Sequence, residues 1–241
     1  MIDIDGLFKA TLLEKLRAGE DPTKLEEDMP DLFLEWLDKP NAACGGVSPN
    51  EYFYSMSTAQ LTDALCEYVS AGKEPPDPLL NALEDAPDSA EPLFELLCGN
   101  RGSFSKDEHA LKAKRAAAEL LNQTGSTRTV EAYLAIVQNP TSDQGLNEAA
   151  AAGLSAMGEA VKEQLLSALK GASDEAADCI LDLLSDLPKK DGRVFDLLVK
   201  HFKAREERRV FFAGLLARYG DPRAIPVLEA ALPFAGYVDY C

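Results

Sequence analysis

Apolar residues recur along this chain at the spacing of a helix face. Leu146, Ala149, Ala150, Gly153, Leu154 and Met157 fall at offsets 0, 3, 4, 7, 8 and 11, and Ala176, Ala177, Ile180, Leu181, Leu184 and Leu187 at 0, 1, 4, 5, 8 and 11. Each set makes one stripe on a helix of 3.6 residues per turn. The segment "RRVFFAGLLARYG" is apolar nearly all round from Val210 to Ala217, the pattern of a helix covered on several sides. In the first half the same spacing predicts helices near residues 5–18, 25–38, 49–56, 58–71, 76–86 and 89–98, divided by the breakers "KPNAACGG", "AGKEPPDP" and "DAPDS". Leucine and alanine dominate the apolar residues, while valine, isoleucine and threonine are sparse. The expected fold class is therefore all-α.

The second half repeats itself. "AAAELLNQTG", "AAAAGLSAMG", "DCILDLLSDLP" and "FAGLLARYG" are apolar helix tails ending on breakers at Gly125, Gly158, Pro188 and Gly220, spaced 33, 30 and 32 residues apart. Each is followed by a second helical run: "TVEAYLAIVQ", "AVKEQLLSALK", "RVFDLLVKHF" and "RAIPVLEAAL". A helix pair of this size cannot bury its own apolar face, so the units are expected to stack. In "YGDPRAIP", Gly220 suits a left-handed helix end. Asp221 is placed to cap the next helix and Pro222 to occupy its first position.

"GLSAMGEAVKEQLLSAL" and "LLARYGDPRAIPVLEAAL" resemble HEAT-like repeats of the kind also found in the phycobilisome-lyase group. The third unit departs from that pattern, with "LPKKDGRVF" where a Gly-Asp/Glu turn is expected. The resemblance implies an α-solenoid, or superhelix, of about four helical pairs over residues 109–235. An irregular acidic helical region would then cap it over 1–98, with 99–108 as a candidate hinge and 236–241 as a tail.

The segment "WLDKPNAACGGVSPNEYF", residues 36–53, holds the chain's one tryptophan. Leu32, Trp36 and Leu37 close an apolar helix face that Pro40 ends. Asn41, Gly45 and Gly46 supply turn chemistry. Ser48, Pro49 and Glu51 spell an N-cap, a first helical position and a capping box, with Val47 and Tyr52 as a hydrophobic staple. Only Cys44 lacks a structural role in this reading, which makes the segment a joint. The wording "FLEWLDKPNAACGGVSPNEYF" is also similar to the toxin-binding segment of Xre/ParS-type antitoxins. That resemblance implies a toxin-neutralising role in which Trp36 would meet the partner.

Charge narrows the function classes. The 241 residues carry a formal net charge of −17, which argues against nucleic-acid binding because phosphate would be repelled. Residues 1–108 hold 23 Asp/Glu against 8 Lys/Arg, whereas residues 189–223 hold 10 Lys/Arg against 5 Asp/Glu. The longest apolar run, "VFFAGLLA", is far below the roughly 20 residues of a helical span. The N-terminus "MIDIDGLFKATLLEKL" is acidic where a signal peptide is basic, so the expectation is a soluble cytoplasmic protein with no membrane contact. Cys44, Cys66, Cys98, Cys179 and Cys241 are scattered without a CxxC, which speaks against a disulfide framework or a zinc site.

The chemistry-bearing residues do not converge. In "MIDIDG" a calcium loop would put Met1 and Leu12 where carboxylates are needed; Asp5 reads better as a helix cap. "KLEEDMPD" has carboxylates but no histidine at ligand spacing. His109 begins a helix, and His201 ends one, where a cation is favoured. No phosphate loop or nucleophile elbow is present. No catalytic residue, cofactor or metal is assigned, and the chain is expected not to be an enzyme.

What remains is an interaction scaffold for a protein partner, its anchors taken as Arg208, Arg209, Tyr219 and Arg223 because Arg and Tyr often dominate interfaces. The alternative is that these arginines pair with Glu206, Glu207 and Asp221 on a solvated face. A bilin-lyase-like activity follows from the repeat resemblance alone. Finally, "PFAGYVDYC" ends the chain on apolar and aromatic residues, which predicts that this end folds back or is buried in a homodimer.

Overall fold

The computed structural model describes residues 2–124 and 127–231. Among them every regular element is helical, and no helix is long and apolar enough to cross a membrane. The chain divides into two compact units, Met1–Ser126 and Thr127–Cys241. Gly125 and the C-terminal residues 233–241 lie outside the described residues.

The first unit contains α1 (Ile4–Arg17), α2 (Pro22–Glu27), α3 (Met29–Leu37), α4 (Pro49–Tyr54), α5 (Thr58–Ser70), α6 (Asp77–Asp85), α7 (Ala90–Cys98) and α8 (Asp107–Thr124). These bounds follow the periodicity closely, with two differences. The helix expected over 25–38 breaks at Asp28, because Pro30 has no N–H to continue the ladder and instead starts α3. The cap of α1 is Asp3, which accepts from the Gly6 N–H at 3.2 Å, and not Asp5.

The joint forms as the sequence spells it. Ser48 Oγ accepts from the Glu51 N–H at 3.2 Å, and Glu51 Oε2 accepts from the Ser48 N–H at 3.0 Å. Gly45 closes the preceding 3-10 turn at φ +73, a conformation that favours glycine. Cys44, the residue without a role in the sequence, is buried in that turn. Trp36 is buried against Phe8 and Phe33, with ring centroids 5.5 and 6.2 Å away, so α1 and α3 share an aromatic cluster.

The long helix α8 packs on α7, α5 and α6. Ala113, Ala117 and Leu121, spaced by four, are buried along it, and the small side chains let its partners approach closely. Residues 99–108 connect α7 to α8 within this unit. The sequence paired α8 with the next helix as a first repeat, whereas the compact units divide between those two helices.

The second unit contains α9 (Val130–Gln138), α10 (Gln144–Met157), α11 (Lys162–Ala168), α12 (Asp174–Ser185), α13 (Gly192–Ala204), α14 (Arg209–Tyr219) and α15 (Ala224–Glu229). Helix α12 touches α9, α10, α11, α13 and α14. Its stripe of Ala176, Ala177, Ile180, Leu181 and Leu184 is buried, as are Leu146, Ala150 and Leu154 of α10. Helix α14 is not covered all round: Phe212, Leu215 and Leu216 are buried, but Val210 is 89 % exposed.

Replacing Ser48 with alanine removes the side-chain acceptor for an otherwise unpaired N–H at the start of α4. Urea unfolding should show a loss of about 1 kcal/mol for Ser48→Ala, with a smaller loss for Asn50→Ala, a half-buried residue of the same helix whose amide meets only the exposed Asp38.

Candidate functional site

Two turns joining successive helices of the second unit carry the same hydrogen-bonded Asp–Arg pair. Between α12 and α13, Asp191 Oδ1 accepts from Arg193 N at 2.9 Å and Arg193 Nε at 3.1 Å, and its Oδ2 accepts from Arg193 Nη2 at 2.7 Å. Between α14 and α15, Asp221 takes the same three bonds from Arg223 at 2.9, 3.1 and 2.7 Å. The segment "LPKKDGRVF", which departs from the expected wording, thus builds the same Asp-x-Arg turn as "YGDPRAIP". Asp221 is not the helix cap the sequence suggested. It holds Arg223, and α15 begins only at Ala224.

These turns are tied to neighbouring elements about 30 residues away in sequence. Arg193 donates to Glu163 of α11 through Nη1 at 3.0 Å and Nη2 at 2.6 Å. The Arg223 guanidinium lies 4.2 Å from the centroid of the Phe195 ring, within cation–π range. Tyr219 is wholly buried, and its hydroxyl donates to the Asp191 carbonyl at 2.9 Å. Lys190 Nζ sits 4.5 Å above that ring, and Lys162 bridges Glu159 and Asp191 at 3.2 and 3.5 Å.

Hydrogen bonding from the Arg193 side chain and then its backbone N–H holds the Asp191 carboxyl far below the usual carboxylate range. Arg223 lowers Asp221 in the same way, and burial pushes the Tyr219 phenol up.

The opposite ends of these helices form a second cluster. Asp178 of α12 is only 8 % exposed and accepts from Arg205 Nη1 and from Arg208 Nε, the latter at 2.9 Å. Arg208 also lies 4.5 Å above the Phe211 ring, and Arg209 pairs with Glu206 at 2.9 Å. At the other end of α14, next to Tyr219, Arg218 reaches back to Ser185 Oγ at 2.7 Å and Asp186 at 2.8 Å.

The residues grouped in the sequence are therefore not one group. Arg208 and Arg209 stand at the start of α14, and Tyr219 and Arg223 stand at and beyond its end, separated by roughly 16 Å of helix. Tyr219 and Trp36 lie in the core and offer almost no surface. Arg209–Glu206 and Arg223–Asp221 are the local pairs anticipated from sequence; Arg208 instead goes to Asp178, 30 residues earlier. Asp178 was missed, although a carboxylate flanked by the buried Ala177 and Ile180 is a signal that a cation must come to it.

His201 rests against Phe212 at 5.5 Å. Burial, with Arg205 and Lys200 nearby, moves its pKa down, so the favourable helix end is outweighed. Burial raises the Cys66 thiol to about 11 and shifts Cys44 and Cys179 upward, away from the reactive thiolate form. Among the described residues no group of three or more His, Cys, Asp or Glu side chains is placed to hold a metal ion. No protein-family model, no curated protein and no solved structure matches the chain.

Removing the Asp178 carboxylate leaves Arg205, itself mostly covered, without its main partner. Asp178→Ala should destabilise the second unit by about 2–4 kcal/mol in denaturant titration, well beyond the effect of Asp182→Ala at an exposed pair.

A depressed Asp191 contributes stability that is complete above the unfolded carboxylate value of about 3.9 and is lost as pH falls toward the folded value. Thermal unfolding between pH 6 and pH 2 should therefore fall less steeply for Asp191→Asn than for the parent, from a lower starting point at pH 6.

Proposed function

We propose that the second unit is a solenoid of HEAT-like helical pairs and that the chain is a non-catalytic scaffold for a protein partner. The observation that carries this reading is the repetition of the Asp-x-Arg turn at residues 191–193 and 221–223 with matching bond lengths. Ties that span about one repeat support it further: Gln138 to the Ala168 carbonyl, Lys189 N to Glu159, and Arg193 to Glu163 are each 30 residues apart. Stacked repeats of this kind make extended surfaces better suited to a polypeptide than to a small molecule.

Arg193 and Arg223 are the contact residues of this proposal. Their side chains are 57 and 56 % exposed, yet each is held in one conformation by its aspartate. An arginine fixed in advance loses little freedom when a partner binds, which favours affinity. Arg208 and Arg209, paired at the opposite end of α14, form a separate and weaker candidate contact.

Affinity capture from a cell extract, at low and at physiological salt, tests the reading. One protein recovered in near-equal amount by the parent chain, and depleted at least about tenfold by Arg193→Ala/Arg223→Ala, is the expected result. Equal recovery by both would take the turns out of the interface. An empty capture at both salts from a folded chain would overturn the scaffold reading.

A further inference from the structure

A cleft of about 320 Å³ lies between α6 and α8 in the first unit, within the range of about 300–1,000 Å³ typical of small-molecule sites. Asp77, Leu80 and Glu84 of α6 line it, at offsets 0, 3 and 7. Lys112, Arg115, Ala116, Glu119 and Leu120 of α8 line it at offsets 0, 3, 4, 7 and 8. Those spacings keep each set on a single side of its helix. The loop from α5 to α6 adds Lys73, Glu74 and Pro75.

The cations of the cleft are already engaged. Lys73 meets Asp3 at 3.0 Å, Lys112 meets Glu108 at 3.1 Å and Arg115 meets Glu119 at 3.9 Å. The side chains of Glu74, Asp77 and Glu84, by contrast, have no ion pair or hydrogen bond among the described residues. The uncompensated charge of the cleft is therefore negative. Asp77 and Glu84 stand seven residues apart, about 10 Å along the helix axis, too far for one metal ion to meet both. The lining also includes the aliphatic side chains of Val69, Leu80, Ala116 and Leu120.

We propose that the α6–α8 cleft binds a linear aliphatic polyamine. Its separated ammonium groups meet Asp77 and Glu84, with Glu74 as a third acceptor, in charge-assisted hydrogen bonds. Its methylene chain covers Leu80, Ala116 and Leu120, a contribution that a hydrated metal ion lacks. An anionic ligand would find the cations taken and three carboxylates set against it. The site lies in the first unit and uses no residue of the scaffold reading, so each can fail without the other.

Calorimetric titration of the full chain with spermidine at physiological salt tests the assignment. A chain of net charge −17 attracts any polycation, so the variants must separate the cleft from the rest of the surface. One saturable site per chain is expected. Asp77→Asn/Glu84→Gln should weaken it at least about tenfold. Ala116→Leu, which fills the cleft without changing charge, should weaken it as much. Glu26→Gln/Glu27→Gln makes the same change of charge on α2 and should leave binding intact. Asp77 and Glu84 are exposed, and circular dichroism checks that each variant keeps its helices.

Absence of a saturable site overturns the proposal. So does parent-like binding by Ala116→Leu, which would reduce the effect to charge attraction. Displacement of spermidine by an equal concentration of magnesium would overturn it for the same reason.

Discussion

In the second unit the burial of α12 constrains everything around it. A twelve-residue helix in contact with five others has few solvated positions, and Ala176, Ile180, Leu181 and Leu184 fill its surroundings. One of its residues is nevertheless a carboxylate. Holding Asp178 there without a counter-charge would cost several kcal/mol, so the 205–208 turn brings Arg205 and Arg208 to it across about one repeat. The same turn fixes where α14 begins. A charge buried in α12 thereby ties down the start of α14, two helices on.

Polar groups on the other edge act in the same manner with smaller energies. Exposed ion pairs are each worth about 0–1 kcal/mol, so Arg193–Glu163 and Arg223–Asp221 add little to stability individually. Their effect is geometric. Each aspartate fixes one guanidinium, and Tyr219, buried with its hydroxyl bonded to the Asp191 backbone, holds the turn beneath. The result is that Arg193 and Arg223 are each held in one conformation.

The first unit solves its packing differently. Pro30 and Pro49 divide its N-terminal part into short helices, capping boxes at Ser48 and Ser57 secure their starts, and rings from Phe8, Phe33 and Trp36 fill the space between α1 and α3. Its carboxylates serve local ends: Asp3 and Asp21 accept from helix-start N–H groups, and Glu20, Asp63 and Glu108 meet Lys15, Arg101 and Lys112.

Much of this was legible along the chain. A period of 3.6 in the apolar residues was enough to locate nearly every helix, because a stripe that must leave water imposes its spacing on the sequence. The capping box at Ser48 and the left-handed Gly220 were equally readable, since both are local stereochemistry. The partners of charged side chains were not. Arg208 has Glu206 and Glu207 beside it in sequence and goes to Asp178, and Arg193 reaches Glu163, because packed helices bring groups about 30 residues apart in sequence into contact. Nor could sequence separate Arg208 from Arg223, which the length of α14 sets at opposite ends, or bury Tyr219 and Cys44. Periodicity says which face of a helix turns inward; only the packed helices decide what that face meets.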